Sequence, residues 1–342
     1  MKLSTLIDKI VFVKNKSLII QTAFLGDLIL TEPLIRIVRE RLKIIPFVLI
    51  RKGLEELMKF MDGVEVITIK KGLNLSGTLS ILRKVMKEGF DFVFSPHRSF
   101  RSALIARGAI NAVKIGFSNS EGFWFYDMVV PYEGEHEVKR ILSLLTPVEK
   151  ENFGIIPPAL RIREIDIENG RRILKTKGIE EGFIAVFPGS KWNTKRWLPE
   201  GFVGLIHLLK KSGFSPVIFG SADERELCEK IAKETGVKNL AGETSIEELP
   251  LALFHARAII SNDSAPVHLA SALDKPVVAI FGPTHPSLGF YPLSKKSAIV
   301  QNEEIPCRPC GLHGGRSCPE KHFLCMKTIS YHQVYSALLS VL

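Results

Sequence analysis

The segment from Ile259 to Leu273 carries an apolar strand through Ser261, Asn262, Asp263 and Ser264 into a helix. Asp263 or Ser264 can cap that helix, and Pro266 falls in its first turn, where a missing N–H costs nothing. With Ala265, these residues leave backbone N–H groups and the positive end of the helix dipole facing outward, which suits a diphosphate. His268, one turn on, is either a hydrogen-bonded structural residue or a group on the phosphate-facing end.

Two further strand-to-helix turns have related chemistry. In Phe187 to Pro199, Gly189 and Ser190 follow a strand and can bring a backbone N–H and a hydroxyl to a phosphate. Lys191, Lys195 and Arg196 add positive charge; the bland alternative is a solvated basic loop anchored by Trp197. In Phe219 to Glu226, Asp223 or Glu224 can accept hydrogen bonds from ribose hydroxyls, although acidic first turns also simply stabilise helices.

Nearer the N-terminus, Thr22 to Asp27 opens the first helix, with Gly26 permitting an unusual backbone angle or close ligand approach. Asp27 sits at the C-terminal edge of a strand, where open α/β sheets bind ligands, and equally serves as a helix cap. The loop lacks G-x-G-x-x-G, so a dinucleotide site is unsupported. Arg98 and Arg101, after another strand, either meet phosphate or carboxylate groups or cover a helix start. Cys307, Cys310, Cys318 and Cys325 form C-x2-C-x7-C-x6-C, which suits a structural zinc or iron, with reduced thiols or disulfides as alternatives and His313 or His322 as substitute ligands. Cys228 stands alone in a helical pattern as a small buried apolar residue.

These turns need rigid elements behind them. Leu18–Gln21, Phe47–Ile50, Val64–Ile69 and Phe90–Phe94 read as strands, alternating with helices at 26–42, 54–60, 75–88 and 100–107. The pattern fails around Gly154, Pro157 and Pro158 and then restarts. Phe183–Phe187, Ser215–Phe219, Ala258–Ile260 and Val277–Phe281 are the second set of strands, with helices at 199–211, 223–235, 246–255 and 265–273. Such alternation implies α/β architecture with parallel sheets. We place one Rossmann-like domain at 1–160 and another at 161–329, the latter with the Cys-rich loop 305–326 and a cleft between the two. An amphipathic helix over 330–342 is expected to pack back on the first domain.

The 342 residues exceed what one core usually serves, and 46% hydrophobic with 24% charged residues is ordinary for a globular protein. The net charge of +10 predicts attraction to anions without choosing among nucleotides, nucleic acid, phosphorylated glycolipid and an acidic membrane surface. No apolar stretch approaches the roughly 20 residues of a spanning helix. Met1–Gln21, broken by Asp8, Lys9, Lys14 and Lys16, lacks a signal peptide's apolar region, so a cytoplasmic protein is expected, with any membrane contact peripheral.

Taken in order, the motifs resemble the bacterial heptosyltransferases of glycosyltransferase family 9, which build the lipopolysaccharide inner core. They are Gly26-Asp27, the run Pro188–Pro199, Phe219–Ser221, N-L-A-G-E-T at 239–244, S-N-D-S-A-P-V-H-L-A at 261–270 and F-G-P-T at 281–284. Ala265-Pro266 departs from the Gly-hydrophobic pair more usual there.

The resemblance implies a GT-B fold of two facing doubly wound domains and inverting transfer from ADP-L-glycero-D-manno-heptose to a lipid A–Kdo core. Asp27 matches the general base, with Gly26, Arg98 and Arg101 on the acceptor side. Ser190, Lys195, Asp223, Glu224, Asp263, Ser264, Ala265, Pro266 and His268 match the donor side, and Lys195 joins Asp27 in catalysis. It implies no cofactor for catalysis and peripheral work at the cytoplasmic face of the inner membrane. A cysteine-bearing loop occurs in many members and is absent from others, which gives it no catalytic duty. The alternatives are a related transferase with another nucleotide sugar or a protein acceptor, a nucleotide-sugar sensor without turnover, and a basic metal-containing nucleic-acid-binding protein. Dispersed lysines and arginines argue against nucleic acid.

Overall fold

The computed structural model describes residues 16–70 and 75–342, so most of the N-terminal stretch read for a signal peptide lies outside the described residues. The chain divides into two compact units, 1–133 with 138–154, and 134–137 with 155–342. The division falls at Gly154/Ile155, a little before the expected 160/161.

The first unit is built on β1 (Lys16–Gln21), β2 (Ile45–Arg51), β3 (Glu65–Ile69), β4 (Phe92–Ser95), β5 (Val113–Phe117) and β6 (Met128–Val130). All pairs are parallel, in the order β3-β2-β1-β4-β5-β6. Leu18, Ile19 and Ile20 of β1 and Val93 and Phe94 of β4 have no solvent exposure, because helices cover both faces of a central parallel strand.

The second unit repeats the plan with β7 (Ile184–Phe187), β8 (Pro216–Ile218), β9 (Lys238–Asn239), β10 (Ala258–Asn262), β11 (Val277–Ile280) and β12 (Ser297–Val300). Its order, β12-β11-β10-β7-β8-β9, is again fully parallel and is the same winding read from the other edge. In each sheet the winding reverses between the first and fourth strands. Ligands of such sheets bind outside the carboxyl ends of the strands at that reversal. The reversal sets Thr22–Asp27 beside the loop after β4, and Gly189–Lys195 beside Asp263–His268.

One expectation is corrected. The helix Tyr331–Val341 buries Val334, Leu338 and Val341 in the second unit's own core, with Trp197, Phe202 and Val300, instead of leaving for the first domain. The groove is made for it: a Cβ on Gly204 would lie 2.6 Å from the Tyr331 ring. Amphipathicity demanded burial and left the partner open. The segment 54–60, expected as a helix, is a 3-10 helix over Glu55–Phe60.

Candidate functional site

The second unit gathers a polar cluster at its winding reversal. Lys195, at the end of a single 3-10 turn (Asn193–Lys195), reaches the Asp263 carboxylate: Nζ is 2.6 Å from Oδ2. The Thr284 hydroxyl donates to the same oxygen at 2.6 Å. The pair is nearly out of water, with side-chain exposures of 13% for Lys195 and 5% for Asp263. Asn262, fully buried, ties the flanking loops together: its amide donates to the carbonyls of Pro188 and Gly189, and its oxygen accepts from the Trp197 N–H.

The helix Ala265–Ala272 begins beside this cluster with Ala265 and Pro266 in its first turn, and no side chain caps it. Ser264 stands at the cap position in extended backbone, its hydroxyl turned to the Asn262 carbonyl and to Ser261. The expected capping by Asp263 or Ser264 is therefore not what forms, since Asp263 is engaged by Lys195 and Thr284. His268 is buried beside Phe290 and its Nδ1 has no hydrogen-bond partner. Burial holds its pKa down at about 4, against the attraction of Asp263, with His136 and Lys195 adding repulsion. The imidazole is thus neutral at physiological pH.

Ser190 is buried, and its carbonyl accepts from Arg196. Glu224 folds back so that a Cβ on Gly189 would lie 2.1 Å from its carboxyl carbon, and its Oε2 accepts from the Ser221 N–H and hydroxyl. Asp223 is exposed on the same turn. Of the two acids, the fold turns Glu224 to the Gly189 loop.

In the first unit, Asp27 lies in the first turn of the helix Leu25–Glu40, and its carboxylate accepts from the Phe24 N–H at 3.1 Å. Gly26 adopts no left-handed angle there, so of its two expected roles the close approach of a ligand is the one that stands. Beside this turn is a cavity of about 190 Å³ lined by Thr22, Phe24, Arg51, Lys70, His97 and Arg101, among others. His97 Nδ1 faces the hydroxyls of Thr22 at 2.8 Å and Ser102 at 3.0 Å. Its pKa falls to about 4, first through burial and then through Arg101 and Arg98. Three cations and a neutral imidazole make this cavity receptive to an anion that carries hydroxyls. Arg98 is not among the residues lining this cavity, and its guanidinium lies 4.0 Å from the centre of the Tyr132 ring.

Sequence reasoning does not single out Arg51, Lys70, His97, Asn262 or Thr284 as site residues, although Asn262 and Thr284 lie within the motifs at 261–270 and 281–284. The cations at 51 and 70 stand directly at the carboxyl ends of β2 and β3, a position that could have marked them.

The four clustered cysteines are all free, and they line one small cavity of about 70 Å³ together with Thr194, Pro283, Gly314 and Gly315. Cys310 Sγ donates to the Cys307 carbonyl and Cys307 Sγ lies against His322 Nε2 at 3.8 Å. Among the described residues no group of three or more His, Cys, Asp or Glu is arranged to hold a metal ion, so the expected structural zinc or iron gains no support.

Comparison with known proteins decides the family. The family model for glycosyltransferase family 9 (heptosyltransferase) matches residues 78–322, well over half the chain. The chain belongs to glycosyltransferase family 9. As a member it is a glycosyltransferase. It is 26% identical over 323 residues to lipooligosaccharide heptosyltransferase 2 of Campylobacter jejuni, covering 91% of this chain and 93% of that one. Over 258 residues it is 31% identical to lipooligosaccharide heptosyltransferase 2 of Haemophilus influenzae, covering 70% and 74%. In fold, it matches the structure of E. coli ADP-heptose lps heptosyltransferase II with a TM-score of 0.78 at 22% identity, covering 95% of this chain and 98% of that one. The two Rossmann-like units of this family 9 chain are those of the GT-B heptosyltransferases.

Proposed function

We propose that the protein transfers L-glycero-D-manno-heptose from its ADP-activated form to the lipid A–Kdo inner core of lipopolysaccharide, with inversion at the anomeric carbon. The reading rests above all on the buried Lys195–Asp263–Thr284 cluster beside an uncapped helix start. A departing diphosphate gains negative charge, and preorganised donors in a dry site stabilise that charge as it develops. Lys195 supplies the cation, the N–H groups at Ser264 and Ala265 the helix end, and neutral His268 a ring nitrogen, Nδ1, with no other partner. Glu224 meets the ribose or sugar hydroxyls.

Asp27 is the general base. A sugar hydroxyl is a weak nucleophile, so a carboxylate must take its proton as the bond to the anomeric carbon forms. The Phe24 N–H fixes the rotamer of that carboxylate. Arg51, Lys70 and Arg101 pair with the carboxylate or phosphate groups of the acceptor, and His97, kept neutral, orients a hydroxyl. No cofactor enters this scheme. Among the described residues no helix is long and apolar enough to cross a membrane; the net charge of +10 supports peripheral work at an anionic cytoplasmic face.

The direct test is incubation with a panel of nucleotide sugars and truncated core acceptors, with products weighed by mass spectrometry. Addition of one heptose residue from the ADP sugar alone is the expected result. Equal transfer from other nucleotide sugars, or none to any core acceptor, sinks the assignment.

A further inference from the structure

Lys195 is held by a device that its own turn does not supply. A three-residue 3-10 turn is a weak frame for a long, flexible side chain. The neighbouring residue, Thr194, is buried and bonded three times to one residue of the cysteine-bearing loop. Its N–H donates to the Gly315 carbonyl at 3.1 Å, its hydroxyl donates to the same carbonyl at 3.1 Å, and the Gly315 N–H donates back to that hydroxyl at 2.7 Å. The adjacent Gly314, at φ +75°, lies so close that a Cβ would stand 3.0 Å from Thr194 Oγ1 and 3.2 Å from Lys195 Cγ.

The same loop grips the other partner of Asp263. Cys310 N–H donates to the Pro283 carbonyl at 2.8 Å, and Arg308 Nη2 donates to the Thr284 carbonyl at 2.7 Å. Lys195 and Thr284 converge on one carboxylate oxygen, and a single segment bonds the residue before the first and the carbonyl of the second. From Gln301 to Phe323 that segment has no helix or strand, a length of irregular chain that compact domains keep for a purpose.

We propose that the loop Gln301–Phe323 is a clamp that presets the diphosphate-binding geometry, with Thr194 as the positioning residue that acts through Lys195. The proposal rests on the reading of Lys195 as a diphosphate-binding group. Ordering the lysine before the ligand arrives removes that ordering cost from binding. Gly315 and Thr194 touch no ligand in this scheme; they set where the ammonium stands.

The test is a double-mutant cycle in the full chain, with ADP affinity by calorimetry and steady-state kinetics as readouts. Thr194→Val keeps the shape and removes the hydroxyl. It should weaken ADP binding about tenfold and raise the donor KM alike, with the acceptor KM unchanged. Thr194→Ser, which keeps the hydroxyl, should stay within about twofold of wild type. In a Lys195→Ala background, Thr194→Val should add nothing. Gly314→Ala, pressing on the lysine stem, should reproduce the Thr194→Val phenotype, and it serves if Thr194→Val does not fold. Additive losses in the double variant, or wild-type ADP affinity in both Thr194→Val and Gly314→Ala while Lys195→Ala is weakened, overturn the clamp. Wild-type ADP affinity in Lys195→Ala overturns the site reading itself, and the clamp with it.

Discussion

Replacing Lys195 with methionine separates what the lysine does for the fold from what it does for the ligand. The substitution keeps the bulk of the side chain and leaves Asp263 buried, with Thr284 as its remaining side-chain partner. Removing one member of a buried pair costs about 3–5 kcal/mol, because the other charge stays behind without compensation. For a unit of this size each kcal/mol shifts the midpoint by about 2–4 °C, so melting of the second unit should fall by about 10 °C. A second change, Asp263→Asn, removes the stranded charge while leaving Thr284 an amide oxygen to bond. The double variant Lys195→Met/Asp263→Asn should therefore recover most of the lost stability. Neither variant should recover ADP binding, which loses a charged hydrogen bond of about 1.5–3 kcal/mol, or about 10–150-fold in Kd. Thermal melts and calorimetry on the two variants decide it: a double variant no more stable than Lys195→Met refutes the account of the pair.

Asp27→Asn should lower transfer by about 10²–10⁴-fold while ADP affinity stays at wild type; a variant with normal turnover removes Asp27 as the base. His97 and His268, each held at about 4 against 6.5 unfolded, bind protons more readily in the unfolded chain, so stability drops as pH falls from 6.5 towards 4, by about 3 kcal/mol per histidine. Urea titrations at pH 7 and pH 4.5 should show this loss, and His268→Gln should flatten it for the second unit. Arg51→Ala should raise the KM for an anionic acceptor about tenfold or more and leave the donor KM alone; equal effects on both substrates would place Arg51 elsewhere.

Much of the fold was legible because a central parallel strand must be apolar on both faces. Leu18-Ile19-Ile20 and Ile184-Ala185-Val186-Phe187 announce themselves in that way. Sequence reasoning does not find β5, β6, β9 or β12, and two of them show why. β9 is two residues at an edge, and β5 contains Lys114, a buried ammonium bonded to the Ala112 carbonyl and paired with Asp127 at 2.8 Å. No local pattern foretells that compensation. The site divides similarly. Lys195 and Asp263 were selected separately, each at a turn after a strand, but their contact spans 68 positions and belongs to the folded chain. Arg98 and Arg101 look alike in sequence. The first lies over the Tyr132 ring and the second lines the cavity. Thr284 carries no charge, and its importance exists only once Asp263 stands opposite.

Asn262 has a bearing on how this protein can vary over evolutionary time. One buried amide saturates main-chain groups at positions 188, 189 and 197, so those turns are spliced into a single rigid body. An aspartate there would direct oxygen at two carbonyl oxygens, and an insertion between 188 and 197 would throw the anchored groups out of register. Length variation is thereby driven away from the phosphate-side turns and towards segments that neither this amide nor the Thr194–Gly315 contact holds.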